Sequence, residues 1–251
     1  MHYMSSMKKY IVGNWKMNGA APMARPLLDQ IAAAAAGSPD TLVVVCPPAL
    51  LISQVVSWLA GSQVKTGGQD CSDQPQGAYT GDISATMLHE AGCQYVIVGH
   101  SERRQYHHES NATVHDKAAQ AIKVGLIPII CIGETARERD AGQAEAVVGR
   151  QITESAPRSG QFLFAYEPVW AIGSGKTPTG DDIWRMHAHI ISMASKETGL
   201  APAAISVLYG GSVNAANSGA ILATEHVAGV LVGGASLKAE EFSKIIASAG
   251  A

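Results

Sequence analysis

The chain has 251 residues, a formal net charge of −3, and 47% hydrophobic against 16% charged residues. That is not the composition of a disordered chain, and the slight negative balance gives no reason to expect a nucleic-acid partner. Small anions stay within reach, because backbone dipoles bind them whatever the net charge.

From the N-terminus, Met1 to Lys9 holds no apolar stretch of signal-peptide type, and residues 1–6 read as an N-terminal extension. Short apolar, β-branched runs then recur: Tyr10–Val12, Thr41–Cys46, Gln63–Thr66, Tyr95–Val98, Leu126–Ile132, Phe162–Tyr166, Ile205–Tyr209 and Val230–Val232. Most are apolar on both faces, as strands covered on both sides must be. Helical signals lie between them. Pro22 opens a segment carrying Leu27, Leu28 and Ile31 that stops near Gly37, and Val114, Ala118, Ala121 and Ile122 recur at helical spacing before Gly125. Asp181 and Asp182 are placed to cap a helix through Ile183, His187, Ile190 and Ala194, and Val213–Leu222 is a further candidate. Strand and helix alternate throughout, which predicts a parallel sheet with helices outside. Eight strands in about 250 residues favour a single α/β domain over 1–251, a closed (β/α)8 barrel of eight parallel strands.

Four scattered cysteines, Cys46, Cys71, Cys93 and Cys131, form no CxxC pair. Reduced thiols in a cytoplasmic protein are expected, not a disulfide framework or a zinc site. No run reaches the roughly 18 apolar residues of a membrane helix, so no membrane partner is expected.

In barrels of this kind the chemistry sits at the C-terminal ends of the strands. Polar residues following the runs are therefore the candidates: Asn14 and Lys16 after the first, His100, Ser101 and Glu102 after the fourth, and Glu167 after the sixth. Gly210-Gly211-Ser212 follow the seventh and Gly233-Gly234 the eighth. Glu167, set in Ala165-Tyr166-Glu167-Pro168, suits a general base in a dry site. If Ser101 opens a helix, the helix dipole disfavours a charged His100, and a neutral ring donates to a polarised carbonyl oxygen. Lys16 and Asn14 suit an oxyanion. Gly173-Ser174-Gly175, Gly210-Gly211-Ser212 and Gly233-Gly234 let backbone N–H groups approach a phosphate. Taken singly, each of these residues is more often a structural ion pair, a buried histidine, a cap or an ordinary turn. Gly175-Lys176-Thr177 imitates the end of a Walker A loop, but Trp170 stands where that motif needs glycine and Pro178 follows at once. His187 and His189 do not share a helical face, which weakens a metal reading.

These segments resemble the triosephosphate isomerase family. The resemblance rests on Gly13-Asn14-Trp15-Lys16-Met17-Asn18, Gly77-Ala78-Tyr79-Thr80-Gly81, Val98-Gly99-His100-Ser101-Glu102-Arg103-Arg104 and Cys131-Ile132-Gly133-Glu134. Ala165-Tyr166-Glu167-Pro168-Val169-Trp170-Ala171-Ile172-Gly173 and Tyr209-Gly210-Gly211-Ser212-Val213 complete it, in family order and over nearly the whole chain. The resemblance implies interconversion of dihydroxyacetone phosphate and D-glyceraldehyde 3-phosphate in glycolysis and gluconeogenesis, through an enediolate and without metal or organic cofactor. It implies that Glu167 moves the carbon-bound proton, that neutral His100 shuttles protons between the enediolate oxygens, and that Lys16 and Asn14 stabilise negative oxygen. Glu102 joins their hydrogen-bond network. Pro168 to Pro178 form a mobile lid, hinged at Pro168-Val169-Trp170 and Lys176-Thr177-Pro178, with Ala171, Ile172, Gly173, Ser174 and Gly175 between. Closure brings the Gly173 N–H onto phosphate, beside Ser212, Gly233 and Gly234. A homodimer is implied, with Gln69 to Ser84 as its interdigitating loop and Thr80 reaching the partner's Asn14 region. Two departures stand out. Pro178 lacks the backbone N–H that the Tyr209 hydroxyl commonly accepts from in the family, and Asp82 replaces the more usual Glu. The competing readings are another phosphate-binding barrel isomerase or epimerase, and a catalytically silent barrel that acts as a binding protein.

Overall fold

Short strands that are apolar on both faces need cover on both sides, and here they obtain it by closing on themselves. The computed structural model describes residues 8–171 and 178–250. Its strands are β1 (Lys9–Asn14), β2 (Thr41–Cys46), β3 (Lys65–Gly68), β4 (Tyr95–Val98), β5 (Ile127–Ile132), β6 (Leu163–Tyr166), β7 (Val207–Tyr209) and β8 (Gly229–Val232). All pair in parallel in chain order, and β8 closes onto β1 through Val12↔Leu231. Between and after them run α1 (Ala21–Ala36), α2 (Ile52–Trp58), α3 (Ala85–Glu90), α4 (Ser101–Tyr106), α5 (Asn111–Lys123), α6 (Ala136–Asp140), α7 (Ala144–Ser155), α8 (Gly180–Thr198), α9 (Ser218–Ala223) and α10 (Ala239–Ala247). The α/β barrel expected from the alternation is the fold observed. No helix among the described residues is long and apolar enough to cross a membrane.

Strand alternation divides the core in two. One set of side chains, including Val12, Val44, Ile97, Ile129, Leu163 and Leu231, fills the barrel interior. The other, including Ile11, Val43, Val98, Ile130, Phe164 and Val230, packs against Leu28, Ile31, Val114, Ile152, Ile190 and Ile245 of the helices.

Three sequence expectations need correction. The third strand is not Gln63–Thr66 but Lys65–Gly68. Apolar side chains suggested the former, but glycines form its second half. A Cβ on Gly67 would lie 2.8 Å from the Cys46 Sγ, and one on Gly68 would lie 2.7 Å from Leu88 Cδ1. Close approach thus replaces side-chain patterning at this strand. Asp181 and Asp182 lie in the first turn of α8, where they complement its dipole, but neither is the N-cap residue. The cap is Thr179, whose hydroxyl accepts the Asp182 N–H while the Asp182 carboxylate accepts the Thr179 N–H, a reciprocal capping box. The helix expected near Val213–Leu222 is confined to Ser218–Ala223.

His187 of α8 is fully buried, with Nδ1 at 3.2 Å from the His226 carbonyl oxygen and Nε2 without a hydrogen-bond partner among the described residues. Burial pulls its pKa from 6.5 down to about 4. The folded chain therefore refuses a proton that the unfolded chain takes up below 6.5. The stabilising effect of the neutral ring is complete above pH 6.5 and falls as the pH drops towards 4. That lowering of the pKa corresponds to roughly 3 kcal/mol. Urea midpoints measured at pH 7.5 and 4.5 should fall more steeply in the native chain than in His187→Gln. Equal slopes would remove His187 from the acid response.

Candidate active site

Closing the barrel brings the C-terminal ends of all eight strands to one rim. There, a cavity of about 310 Å³ is lined by Asn14, Lys16, His100, Glu167, Gly210, Gly211, Ser212, Gly233 and Gly234, with Leu231 at its floor. Asn14 ends β1, Glu167 follows β6, and the glycines follow β7 and β8. Residues separated by more than 200 positions in sequence thus share one small space.

Glu167 is 2% exposed. Its N–H donates to the Ile132 carbonyl at 2.8 Å, extending the β5–β6 ladder by one residue. Its carboxylate faces the start of α4. Oε2 accepts the Ser101 N–H at 2.9 Å, and Oε1 accepts the Ser101 hydroxyl at 3.0 Å. The His100 Nε2 lies 3.0 Å from Oε1.

His100 is itself the N-cap of α4: its Nδ1 accepts the Glu102 N–H at 3.2 Å. An accepting Nδ1 carries no proton, so the hydrogen-bond network assigns a neutral ring with its proton on Nε2. The helix expected to begin at Ser101 is there, and it fixes which ring nitrogen faces the cavity.

Lys16 sits at φ 53°, in the left-handed region that side chains rarely enter. Its backbone is held from both sides: its N–H donates to Asn14 Oδ1 at 3.0 Å, and its carbonyl accepts from Gln69 Nε2 at 2.8 Å. Gln69 also donates to the Cys46 carbonyl at 2.9 Å, tying the ends of β1, β2 and β3 together. The Lys16 ammonium is 2.5 Å from Glu102 Oε1. Glu102 therefore holds Lys16 from outside the lining of this cavity.

Of the expected lid, Pro168 to Ala171 and Pro178 are described, and Ile172, Gly173, Ser174, Gly175, Lys176 and Thr177 lie outside the described residues. Val169–Ala171 form one 3₁₀ turn. The Trp170 indole donates to Glu134 Oε1 at 2.8 Å, and the Arg139 guanidinium lies 4.2 Å from the centre of its ring. The Tyr166 hydroxyl donates to the same Glu134 oxygen at 3.1 Å. The Tyr209 hydroxyl is buried with no partner among the described residues, and Pro178, lacking an N–H, supplies none. Thr80 is exposed in the loop between β3 and α3 and is not part of the cavity's lining in its own chain. At the base of that loop Asp82 accepts the Ser72 hydroxyl at 2.9 Å.

Several positioning residues were missed in the sequence. Ser101 stood there as a polar residue after the fourth run and a helix start, with no role assigned, yet it supplies two donors to Glu167. Gln69 follows β3 directly, where a search for polar residues at strand ends finds it once that strand is placed correctly. Gly133 gave no chemical signal at all. A Cβ there would lie 1.8 Å from the Glu167 carbonyl oxygen, and the Gln151 amide clamps its N–H at 2.7 Å and its carbonyl at 3.1 Å. Gly133→Ala must push the Glu167 backbone away. It should destabilise the fold by about 1–3 kcal/mol and depress kcat as well. Urea unfolding with wild-type stability would show that the space opens freely.

Residues 9–249 match the triosephosphate isomerase protein family. A triosephosphate isomerase of Acidiphilium cryptum is 49% identical, covering 97% of this chain and 99% of its own length. One from Xanthobacter flavus is 48% identical, covering 96% and 97%. The crystal structure of triosephosphate isomerase from Bartonella henselae superposes with a TM-score of 0.89 at 41% identity, over 96% of this chain and 98% of that one.

Proposed function

The chain belongs to the triosephosphate isomerase family, and from that premise we propose which of its side chains interconvert dihydroxyacetone phosphate and D-glyceraldehyde 3-phosphate. The reaction itself, an aldose–ketose isomerisation of glycolysis and gluconeogenesis, follows from the family. The family match over nearly the whole chain does not favour a sugar-phosphate epimerase or a silent binding barrel. One observation supports the assignment of roles: Asn14, Lys16, His100 and Glu167 line the same cavity as Ser212, Gly233 and Gly234. Chemistry and phosphate grip thus face each other across one small molecule.

The substrate phosphate lies against the backbone N–H groups near Ser212, Gly233 and Gly234, and the Gly173 N–H joins them when the lid closes. The substrate's carbonyl oxygen takes over the His100 Nε2–H that otherwise faces Glu167 Oε1. Glu167 leaves Ser101 and removes a proton from C1 of dihydroxyacetone phosphate. The electron pair moves to the C2 oxygen, giving an enediolate. Lys16 and Asn14 stabilise that oxygen, and Glu102 holds the ammonium in place. His100 delivers its proton to the C2 oxygen and takes one from the C1 oxygen, and Glu167 returns the carbon-bound proton to C2. Pro168 to Pro178 form the lid that excludes water while the enediolate lives. A coupled isomerase assay in the presence of a metal chelator should show turnover, inhibited by a phosphorylated enediolate mimic. No turnover would overturn the proposal.

The protein acts as a homodimer in the cytoplasm. Met17, Leu50, Tyr79, Met87 and Tyr106 are exposed to between 48% and 96%, and all stand in or just after the segments following β1 to β4. Apolar exposure gathered on one flank marks an association surface, and Thr80 lies within it. The four cysteines are free and buried, as suits a reducing compartment. Sedimentation should give a dimer, and Tyr79→Asp should shift it towards monomer. A monomer at every concentration would reject the assignment.

A further inference from the structure

The opposite end of the barrel holds a second cavity, about 690 Å³ against about 310 Å³ at the chemical rim. Its volume falls in the range of small-molecule sites. The strands' N-terminal ends build it: Tyr10 of β1, Leu42 of β2, Val227 ahead of β8 and Ile205 ahead of β7, with Ile191 of α8 as one wall. Nothing in the isomerase chemistry uses this space.

Lys9 stands in its lining, and the surroundings of that ammonium are unusual. Its Nζ donates to the Val227 carbonyl at 2.5 Å, which occupies one of three donors. Among the described residues, no carboxylate lies within ion-pair distance of it. Glu225 is turned instead towards Trp184 and His226. His187 behind the wall is neutral and adds no positive charge beside it. Partial burial of Lys9 disfavours its charge. Lys8, an exposed residue, lines the same cavity and carries a second positive charge at its edge. A cavity walled by aliphatic and aromatic groups, with uncompensated cations at one side, complements a molecule that is apolar along its body and anionic at one end.

We propose that this cavity binds a small amphipathic carboxylate, its head group on Lys9 and Lys8 and its apolar body against Tyr10, Leu42 and Ile191. The probe is octanoate, with acetate and 1-octanol as partial analogues that keep only the head or only the body. Calorimetry and thermal unfolding should show octanoate binding at one site per chain and raising Tm, as any ligand selective for the folded state does. Octanol should bind at least about tenfold more weakly, since a charge-assisted hydrogen bond contributes about that factor, and so should acetate, which gives up burial of the alkyl chain. Lys9→Met should weaken octanoate about tenfold and leave octanol unchanged. Ile191→Trp, which fills the body of the cavity, should abolish binding of both. Isomerase turnover, which reports a folded barrel, should be unchanged in both variants. Four results would overturn the proposal: no saturable octanoate binding by the native chain, equal affinity for octanoate and octanol, octanoate affinity untouched by either substitution, or displacement of octanoate by a triose phosphate analogue, which would put it at the other rim.

Discussion

Replacing Glu167 by glutamine is expected to lower kcat by about 10²–10⁴-fold, the usual contribution of a general base, with a larger loss if the same group serves both transfers. The side chain keeps its size, and its amide oxygen can still accept from Ser101, as the carboxylate does at 2.9 and 3.0 Å. The barrel should therefore keep its stability, and inorganic phosphate should bind the variant as it binds the native chain. The discriminating measurement pairs kcat with the inhibition constant of phosphate. Near-normal kcat would remove Glu167 from the chemistry. Loss of phosphate affinity together with kcat would point to a disrupted rim.

Lys16→Ala should damage both binding and turnover. Losing a group that stabilises a developing oxyanion costs about 10²–10³ in kcat, and removing the ammonium from the cavity should also raise KM for an anionic substrate. Alanine at φ 53° bears the same backbone cost as lysine, so the variant isolates the charge. Glu102, whose side chain is 43% exposed, is left to water and not stranded. Kinetics at limiting and saturating substrate separate the two effects. Unchanged values at both would reject the electrostatic role.

How much of this was legible before any coordinates depended on which physical signal each part carries. Thr41–Cys46 and Tyr95–Val98 have the bounds read from their apolar residues, because every position in them is a side chain that needs cover. β3 was misplaced by two residues because it is built partly from the absence of side chains, and a glycine buried by close approach looks, in sequence, like a turn. That error concealed Gln69. The gathering of Asn14, Lys16, His100 and Glu167 at one rim was foreseeable from their positions just after strands. Which atoms they offer one another was not. The Nδ1–Glu102 contact that sets the His100 tautomer, and the two donors of Ser101, depend on how α4 meets β4, a geometry that no residue pattern encodes.

The tie that Gln69 makes across the ends of three neighbouring strands has a consequence for the folding chain. Of the two hydrogen bonds that hold the Lys16 backbone, the one from Asn14 is local to the end of β1, while the one from the Gln69 amide forms only when β3 has docked. A partly assembled intermediate in which β1 and β2 have paired alone would leave the ammonium without a fixed direction. Recovery of isomerase activity during refolding should then follow the docking of β3 and not the collapse of the aliphatic interior.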